Sequence, residues 1–89
     1  MSCVLITQGR TVLGILTERD VVRLTAQALD LRTTTVAEVM VHPVVTLPEH
    51  SVQDIFAALF LFRRYRIRHV PVVDEQQQLV GIISHESIR

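Results

Sequence analysis

Residues 3–24, CVLITQGRTVLGILTERDVVRL, decide the fold of this chain. Two apolar runs, Cys3–Ile6 and Val12–Leu16, stand on either side of the polar residues 8–11 (QGRT). Short aliphatic runs around a turn that contains glycine predict a β-hairpin. The next residues, 17–20 (TERD), have the composition of a helix start, with threonine as the N-cap.

The same layout of strand, turn, strand and helix start returns in residues 70–89, VPVVDEQQQLVGIISHESIR. Val70–Val73 and Leu79–Ile83 are its apolar runs. The two copies share the order of apolar and polar residues but few identical residues. An ungapped alignment of the copies has identities at Gly14/Gly81 and Ile15/Ile82. Two similar units of this kind predict a small molecule bound between them.

Size and composition favour assembly. With 89 residues the chain has room for one compact domain, and a domain of this size buries about 60–70% of its unfolded surface. Hydrophobic residues make up 48% of the chain, a high fraction for this length. Some apolar surface is therefore expected to lie in an interface, and we expect a homodimer or a larger parent protein.

The net charge of the chain argues against partners that are recognised through the overall charge of a protein. Nine basic and nine acidic side chains balance, so nucleic acid and anionic membranes are not indicated as partners. Cys3 is the only cysteine, which excludes a disulfide framework and fits a reducing cytosol. The longest apolar run, Ile55–Phe62, has eight residues, whereas a bilayer span needs about 20. We therefore predict a cytoplasmic domain without a membrane segment.

The two apolar runs of the first copy lack alternation, which predicts strands covered on both faces. The following helix is predicted from Thr17 to about Leu31, because apolar residues recur at helical spacing. These positions are Val21, Val22, Leu24, Ala28, Leu29 and Leu31. The polar residues 32–35 (RTTT) are expected to end the helix and to link the repeats.

The middle of the chain is predicted to hold a short helical turn, a strand and a long helix. Residues 35–40 (TVAEVM) carry a threonine cap and a glutamate at the capping-box spacing. Residues 44–47 (VVTL) indicate a strand. Ser51 is expected to cap a helix over residues 52–65, with Asp54 at its third position. This helix is apolar on more than one face, so one face is expected to pack on the sheet and the other on a neighbouring molecule.

Taken together, these segments resemble the CBS (cystathionine-beta-synthase-type) domain, a β-α-β-β-α module that occurs in tandem pairs. The resemblance rests on residues 35–47, residues 65–74 and the two Gly-Ile-x-Thr/Ser segments. It implies an α/β fold of small mixed sheets with helices packed on one face. Residues 35–89 are similar to a second repeat, and residues 1–34 to the β-β-α half of a first repeat that lacks its initial strand and helix.

The resemblance implies a ligand site at residues 14–20 (GILTERD), which match the family's Gly-h-h-Thr-x-x-Asp segment. In the family, adenosine-containing ligands such as AMP, ADP, ATP or S-adenosylmethionine lie between the repeats, and this aspartate binds the ribose hydroxyls. By resemblance, Thr17 and Asp20 are ribose and phosphate contacts, and Ile15 belongs to the same segment. The residues alone leave an alternative open, because Thr17-x-x-Asp20 is also a helix cap worth about 1 kcal/mol without a ligand.

The second repeat completes the site that the resemblance implies. Its contacts are Val44, Val45, Arg68, His69 and Pro71, with Ser84 and Ser87 as a weaker half-site. The valines correspond to positions that sandwich the adenine, and the basic pair approaches the phosphates. Ordinary strand core is the alternative for the valines, and a solvated helix end is the alternative for the arginines. The half-site is expected to be weaker because a serine, which carries no charge, replaces the ribose-binding aspartate.

Three functions can be weighed on these observations. The leading one is a non-catalytic regulatory module that binds an adenine nucleotide and passes its occupancy to an attached or associated effector protein. The second is a dimerisation module without a ligand. The third and weakest is nucleic-acid binding through Arg63, Arg64, Arg66 and Arg68.

Of the functions considered, enzyme catalysis fits the sequence worst. The sequence shows no nucleophile with a paired base and no phosphate-binding glycine loop. His42, His50 and His85 have no metal-ligand spacing with each other or with acidic residues. We therefore expect no enzyme activity, no metal and no cofactor.

Overall fold

The computed structural model describes residues 3–87, without the side chain of Ser87. The chain forms two compact units, Met1–Val44 and Val45–Arg89. Packing thus places residues 35–44 with the first unit, although by sequence they open the predicted second repeat. The predicted α/β class with small sheets and helices is confirmed.

The first unit begins with an antiparallel hairpin of β1 (Cys3–Gln8) and β2 (Thr11–Thr17), as predicted. Gly9 turns the chain with a φ of +61°, a left-handed conformation that glycine adopts without steric cost. The expectation that both faces are covered is wrong here, because Val4 is 58% exposed and Leu13 is 40% exposed. The elements packed on this hairpin contact mainly β2, which leaves apolar side chains in water.

The helix α1 (Glu18–Ala26) follows β2 directly, with the predicted threonine as its N-cap. It ends well before Leu31, so its predicted C-terminal end is wrong. Ala28 adopts a left-handed φ of +60°, which interrupts the helix. The carboxylate of Asp30 then accepts the Arg32 N–H at 3.0 Å and holds a turn.

The short helix α2 (Val36–Val39) is the predicted helical turn, and it packs on β2. At its start the Thr35 N–H donates to Glu38 Oε2 at 3.4 Å, as the capping pattern predicts. After α2 the chain runs antiparallel to β2, and Val41 and Ile15 exchange two backbone hydrogen bonds of 2.9 and 3.1 Å. This bridge extends the outer edge of β2 by one residue pair.

The second unit is built on a mixed three-stranded sheet. Its elements are β3 (Leu47–Pro48), α3 (Ile55–Tyr65), β4 (His69–Val73) and β5 (Leu79–Ser84), with 3-10 turns at Glu49–Ser51 and His85–Ser87. In the order β3-β4-β5, β3 is parallel to β4 and β5 is antiparallel to it. The buried core comprises Leu47, Ala58, Phe62 and Val70. Residues Val70–Val73 of β4 are all buried.

The strand predicted over residues 44–47 is shorter than expected. It is reduced to Leu47–Pro48, so Val44 and Val45 lie outside the sheet. Leu47 pairs with Val72 of β4. Extending this ladder backwards would bring in Pro71, which has no N–H to donate, and the pairing therefore stops.

The helix α3 begins later than predicted, because Asp54 and not Ser51 is its N-cap. The Asp54 carboxylate accepts the N–H groups of Phe56 and Ala57 at 3.0 and 3.3 Å. A negative charge at the positive end of a helix adds to the stabilisation by these bonds. Ser51 ends a 3-10 turn instead.

The two hairpins have the same strand register and a β-bulge at the same position. The pairs on either side of the first bulge are Ile6↔Gly14 and Thr7↔Val12, and those beside the second are Val72↔Gly81 and Val73↔Leu79. The turn of the second hairpin is one residue longer. In the structure Val4 therefore corresponds to Val70, and the ungapped alignment is out of step in the first strand of each copy.

Substitution of the two equivalent glycines is expected to have different effects. A Cβ on Gly14 would lie 2.6 Å from Met40 Cγ, whereas a Cβ on Gly81 would meet nothing within 4 Å. Gly14→Ala should therefore lower the free energy of unfolding by about 1–3 kcal/mol through overpacking. Gly81→Ala should change it by less than about 0.5 kcal/mol. Urea denaturation of both variants checks this, and equal effects would contradict the packing of Met40 over Gly14.

Candidate functional site

Thr17 and Asp20 form a reciprocal hydrogen-bonded pair where β2 passes into α1. Asp20 Oδ2 accepts from the Thr17 N–H and from Thr17 Oγ1, each at 2.9 Å, and the Asp20 N–H donates to Thr17 Oγ1 at 3.3 Å. The Asp20 side chain is 16% exposed. The capping arrangement that the residues alone left open is therefore present.

The cap leaves acceptor capacity on the Asp20 carboxylate. A carboxylate offers about four lone-pair sites, and Oδ2 uses two of them for Thr17. Oδ1 accepts a long bond of 3.4 Å from the Arg23 guanidinium, an ion pair whose exposed arginine makes it worth little. The cap thus orients the carboxylate without saturating it. Sequence reasoning missed Arg23, although its position one helical turn after Asp20 is the signal for such a pair.

Ile15 and Val44 lie in the same unit as this pair. The N–H and C=O of Ile15 are both engaged by Val41, so Ile15 can offer a ligand its side chain but not its main chain. The same bridge brings the segment that leads to Val44 against β2. Both Ile15 and Val44 are half-buried.

Polar side chains of the second unit gather at the start of β4. His69 pairs with Ser84 across the ladder, and the His85 N–H donates to the Arg68 carbonyl oxygen at 2.8 Å. Arg68 is exposed, whereas His69 and Ser84 are half-buried. The ladder therefore places a guanidinium, an imidazole and a hydroxyl at one end of the sheet.

The remaining predicted contacts have different surroundings. Pro71 is fully buried in β4 and presents no surface to a ligand. Val45 is half-buried in the segment before β3. The side chain of Ser87 lies outside the described residues, and its backbone ends a 3-10 turn. The first unit thus holds Ile15, Thr17, Asp20 and Val44, and the second holds Val45, Arg68, His69, Pro71, Ser84 and Ser87.

The arginines at the end of α3 have local structural roles. Arg63, Arg64 and Arg66 are exposed, as the solvated alternative predicts. The Arg64 guanidinium lies 5.3 Å from the centroid of the Tyr65 ring, a cation–π contact. Arg66 caps the helix with a left-handed φ of +53°. Arg68 lies beyond the helix, next to β4.

Within residues 3–87, no group of three or more histidine, cysteine, aspartate or glutamate side chains is placed to hold a metal ion. Burial raises the pKa of the Cys3 thiol, which disfavours the nucleophilic thiolate at neutral pH. In the same described part of the chain, no helix combines the length and apolar character needed to cross a membrane.

Comparison with known proteins gives a family and several relatives. Residues 36–89 match the CBS domain. An uncharacterized protein of Methanopyrus kandleri is 30% identical over 88 residues, which are 98% of this chain and 44% of that protein. A CBS domain protein of Pyrobaculum aerophilum, solved in complex with AMP, has a TM-score of 0.82 at 27% identity, over 97% of this chain and 65% of that one.

The CBS domain pair of protein MJ0100, solved with 5′-methylthioadenosine and S-adenosyl-L-methionine, has a TM-score of 0.80 at 29% identity, again over 97% and 65%. The chain thus spans less than two thirds of the length of each of these relatives. The family match covers more than half of the chain, and the structural likeness covers nearly all of it. The chain therefore belongs to the CBS domain family.

Proposed function

We propose that this chain is a non-catalytic regulatory module that binds an adenosine-containing ligand, namely AMP, ADP, ATP or S-adenosylmethionine, and thereby controls an attached or associated protein. The observation that carries the proposal is the Asp20 carboxylate, which Thr17 holds at the start of α1. A carboxylate oriented in this way can accept hydrogen bonds from both hydroxyls of a ribose. The backbone N–H groups at the same helix end favour negative charge nearby.

The ligands of the structural relatives have one chemical part in common. The Pyrobaculum aerophilum protein was solved with AMP, and the MJ0100 pair with 5′-methylthioadenosine and S-adenosyl-L-methionine. Each of these molecules contains adenosine, but only AMP carries a phosphate. A site that depends on ribose recognition suits all three, so the ribose contact of Asp20 is the best-supported part of the proposal.

A ligand with phosphates also needs a cation. Arg68 is exposed, and its backbone is held by the bond from the His85 N–H. A guanidinium binds phosphate oxygens through two parallel hydrogen bonds, which an ammonium cannot do. We assign Arg68 to the phosphates, with His69 beside it. Ser84 would provide a weaker polar contact because a hydroxyl has no charge.

Control of another protein would follow from differential affinity. A ligand changes the population of conformations only if it binds one of them better than another. The effect on an effector is then a coupling free energy, typically about 1–3 kcal/mol, and it acts in both directions. The effector would therefore change the affinity for the nucleotide by the same factor.

Asp20→Ala is expected to weaken binding of AMP, ATP and S-adenosylmethionine by about 10- to 100-fold, because hydrogen bonds to a charged acceptor are lost. The variant also loses part of the α1 cap, at a cost of about 1 kcal/mol in the free energy of unfolding. Isothermal titration calorimetry measures the affinity, and urea denaturation measures the stability.

Asp54→Ala is the matched control for this experiment. Asp54 caps α3 with two hydrogen bonds, so its loss should lower stability by a similar amount and leave ligand affinity unchanged. Unaltered ligand binding by Asp20→Ala would refute the site assignment. Failure of the parent chain to bind any of the three ligands would refute the proposed function itself.

Arg68→Ala is expected to separate ligands by their phosphates. Affinity for AMP and ATP should fall about tenfold through loss of a charge-assisted contact, and affinity for S-adenosylmethionine should not change, because it has no phosphate. Arg66→Ala, which removes another exposed arginine from the same segment, serves as the control and should affect neither. Equal losses for phosphorylated and unphosphorylated ligands would contradict the assignment of Arg68 to the phosphates.

A second candidate function, dimerisation without a ligand, is favoured by the outer face of α3. Phe56 is 77% exposed and Phe60 is 62% exposed, and their spacing places both rings on one side of the helix. With Leu59, Arg63 and Arg64 they line an apolar groove. A contiguous exposed apolar surface of this kind indicates a contact between proteins, and a second copy of the chain is the partner we infer.

Phe60→Glu is expected to convert the proposed homodimer to monomer, because it introduces a charge into an apolar contact. The side chain is mostly exposed in the chain itself, so folding should be unaffected. Light scattering at several concentrations, with and without AMP, measures the assembly, and Gln76→Glu in an exposed turn controls for the added charge. A parent chain that is monomeric at every concentration would contradict the dimer. Assembly that never responds to AMP would favour the dimerisation module over the regulatory one.

A further inference from the structure

Arg23 contacts the carboxylate that is proposed to bind a ribose. Its Nη2 lies 3.4 Å from Asp20 Oδ1, one helical turn further along α1. This distance is longer than the range of about 2.7–3.2 Å in ordinary N–H···O hydrogen bonds. The Arg23 side chain is 51% exposed. Arg23 is therefore held loosely, and its guanidinium can leave Oδ1 for water at little cost in free energy.

Thr17, and not Arg23, fixes the orientation of the Asp20 carboxylate. Oδ2 accepts from the Thr17 N–H and from Thr17 Oγ1, each at 2.9 Å. The Asp20 N–H donates in return to Thr17 Oγ1 at 3.3 Å. Removal of the Arg23 guanidinium would leave these three hydrogen bonds in place. The carboxylate would thus keep its orientation without Arg23.

The hydrogen bonds that Asp20 already accepts limit what a ribose can use. Each carboxylate oxygen has two lone pairs, which gives about four acceptor sites in all. Within residues 3–87, Thr17 occupies both sites on Oδ2, and Arg23 occupies one of the two sites on Oδ1. A ribose presents two neighbouring hydroxyls as donors. Arg23 and a ribose together therefore need one more acceptor site than Oδ1 offers.

The surroundings of the donors decide which of them a ribose would displace. The two bonds from Thr17 to Oδ2 are partly buried, whereas the bond from Arg23 to Oδ1 is exposed. A donor that loses its partner away from water costs more free energy than one that water can solvate. The guanidinium of Arg23 is therefore the donor that a ribose displaces.

Given the proposed nucleotide function, on which this inference rests, we propose that Arg23 is a specificity-determining residue that competes with the ribose for Asp20 Oδ1. With Arg23 in place, Oδ1 can accept one hydroxyl, and after Arg23 leaves it can accept two. A ribonucleotide thus binds with the loss of one ion pair, whereas a 2′-deoxyribonucleotide binds without that loss. Arg23 therefore lowers the preference of the site for ribose over deoxyribose.

Arg23→Met tests the proposal because it removes the guanidinium and keeps an unbranched side chain. The measured quantity is the ratio of the affinity for AMP to the affinity for 2′-deoxy-AMP, obtained by isothermal titration calorimetry on the full chain. The ratio should rise about two- to fivefold in the variant, which is the range expected for an exposed ion pair. Any effect of the lost positive charge on the phosphate is the same for both nucleotides and cancels in the ratio.

The salt dependence of the same ratio gives a second measurement. Salt screens an exposed ion pair, so the competition by Arg23 should weaken as salt is added. Between about 0.01 and about 1 M salt, the ratio should rise for the parent chain towards the value of Arg23→Met. The ratio of the variant should stay constant, because it has no ion pair at Oδ1 to screen.

Two further variants provide the controls. Arg32 forms an ion pair with Asp30 in the same unit, and its Nε lies at the same distance of 3.4 Å from a carboxylate oxygen. Arg32→Met removes the same charge and should leave the ratio unchanged. Arg23→Lys keeps a charged donor beside Asp20 and should keep the ratio close to that of the parent chain.

Three results would overturn the assignment of Arg23. An unchanged ratio in Arg23→Met would show that the guanidinium does not compete with the ribose. A lower ratio would show that Arg23 supports ribose binding. An equal rise in Arg32→Met would show that the loss of charge, and not the release of Oδ1, changes the ratio. A parent chain that binds neither AMP nor 2′-deoxy-AMP would instead refute the proposed nucleotide function, and the role of Arg23 with it.

Discussion

The reciprocal hydrogen bonds between Thr17 and Asp20 are the interaction on which the first unit and its candidate site depend. They end β2 and begin α1 at one position, because Thr17 is both the last residue of the strand and the cap of the helix. The same bonds hold a carboxylate at the positive end of α1. Capping and ligand recognition are therefore compatible roles for Asp20, since the cap orients the group that would meet a ribose.

The two hairpins show how one motif can be completed in different ways. Their registers and bulges agree, but their surroundings do not. In the first copy Met40 covers the glycine and Val41 pairs with the edge. In the second copy the glycine is open, and Ser84 leads into a 3-10 turn where the first copy has a longer helix. Within residues 3–87, the second copy thus lacks the bridge that pairs with the strand edge of the first.

Elements whose ends are marked by side-chain chemistry were predictable. The glycine of the first turn, the Thr17 cap and the continuous apolar run of β4 each indicated their element correctly. Helix ends were harder to predict. Ser51 and Asp54 are both acceptable caps in sequence, and only the structure shows that Asp54 is the cap. Apolar spacing continues past the left-handed turn at Ala28, so periodicity alone could not show where α1 ends.

The sequence by itself determined the α/β class, the repeated hairpin and the resemblance to the CBS family, because these depend on the order of apolar, polar and turn residues along the chain. It also determined which side chains could recognise a ribose or a phosphate. Only the tertiary structure decided that residues 35–44 pack with the first unit, that Val41 bridges to Ile15 and that Met40 covers Gly14. These outcomes depend on contacts between residues distant in sequence, and no local pattern encodes the space above a glycine.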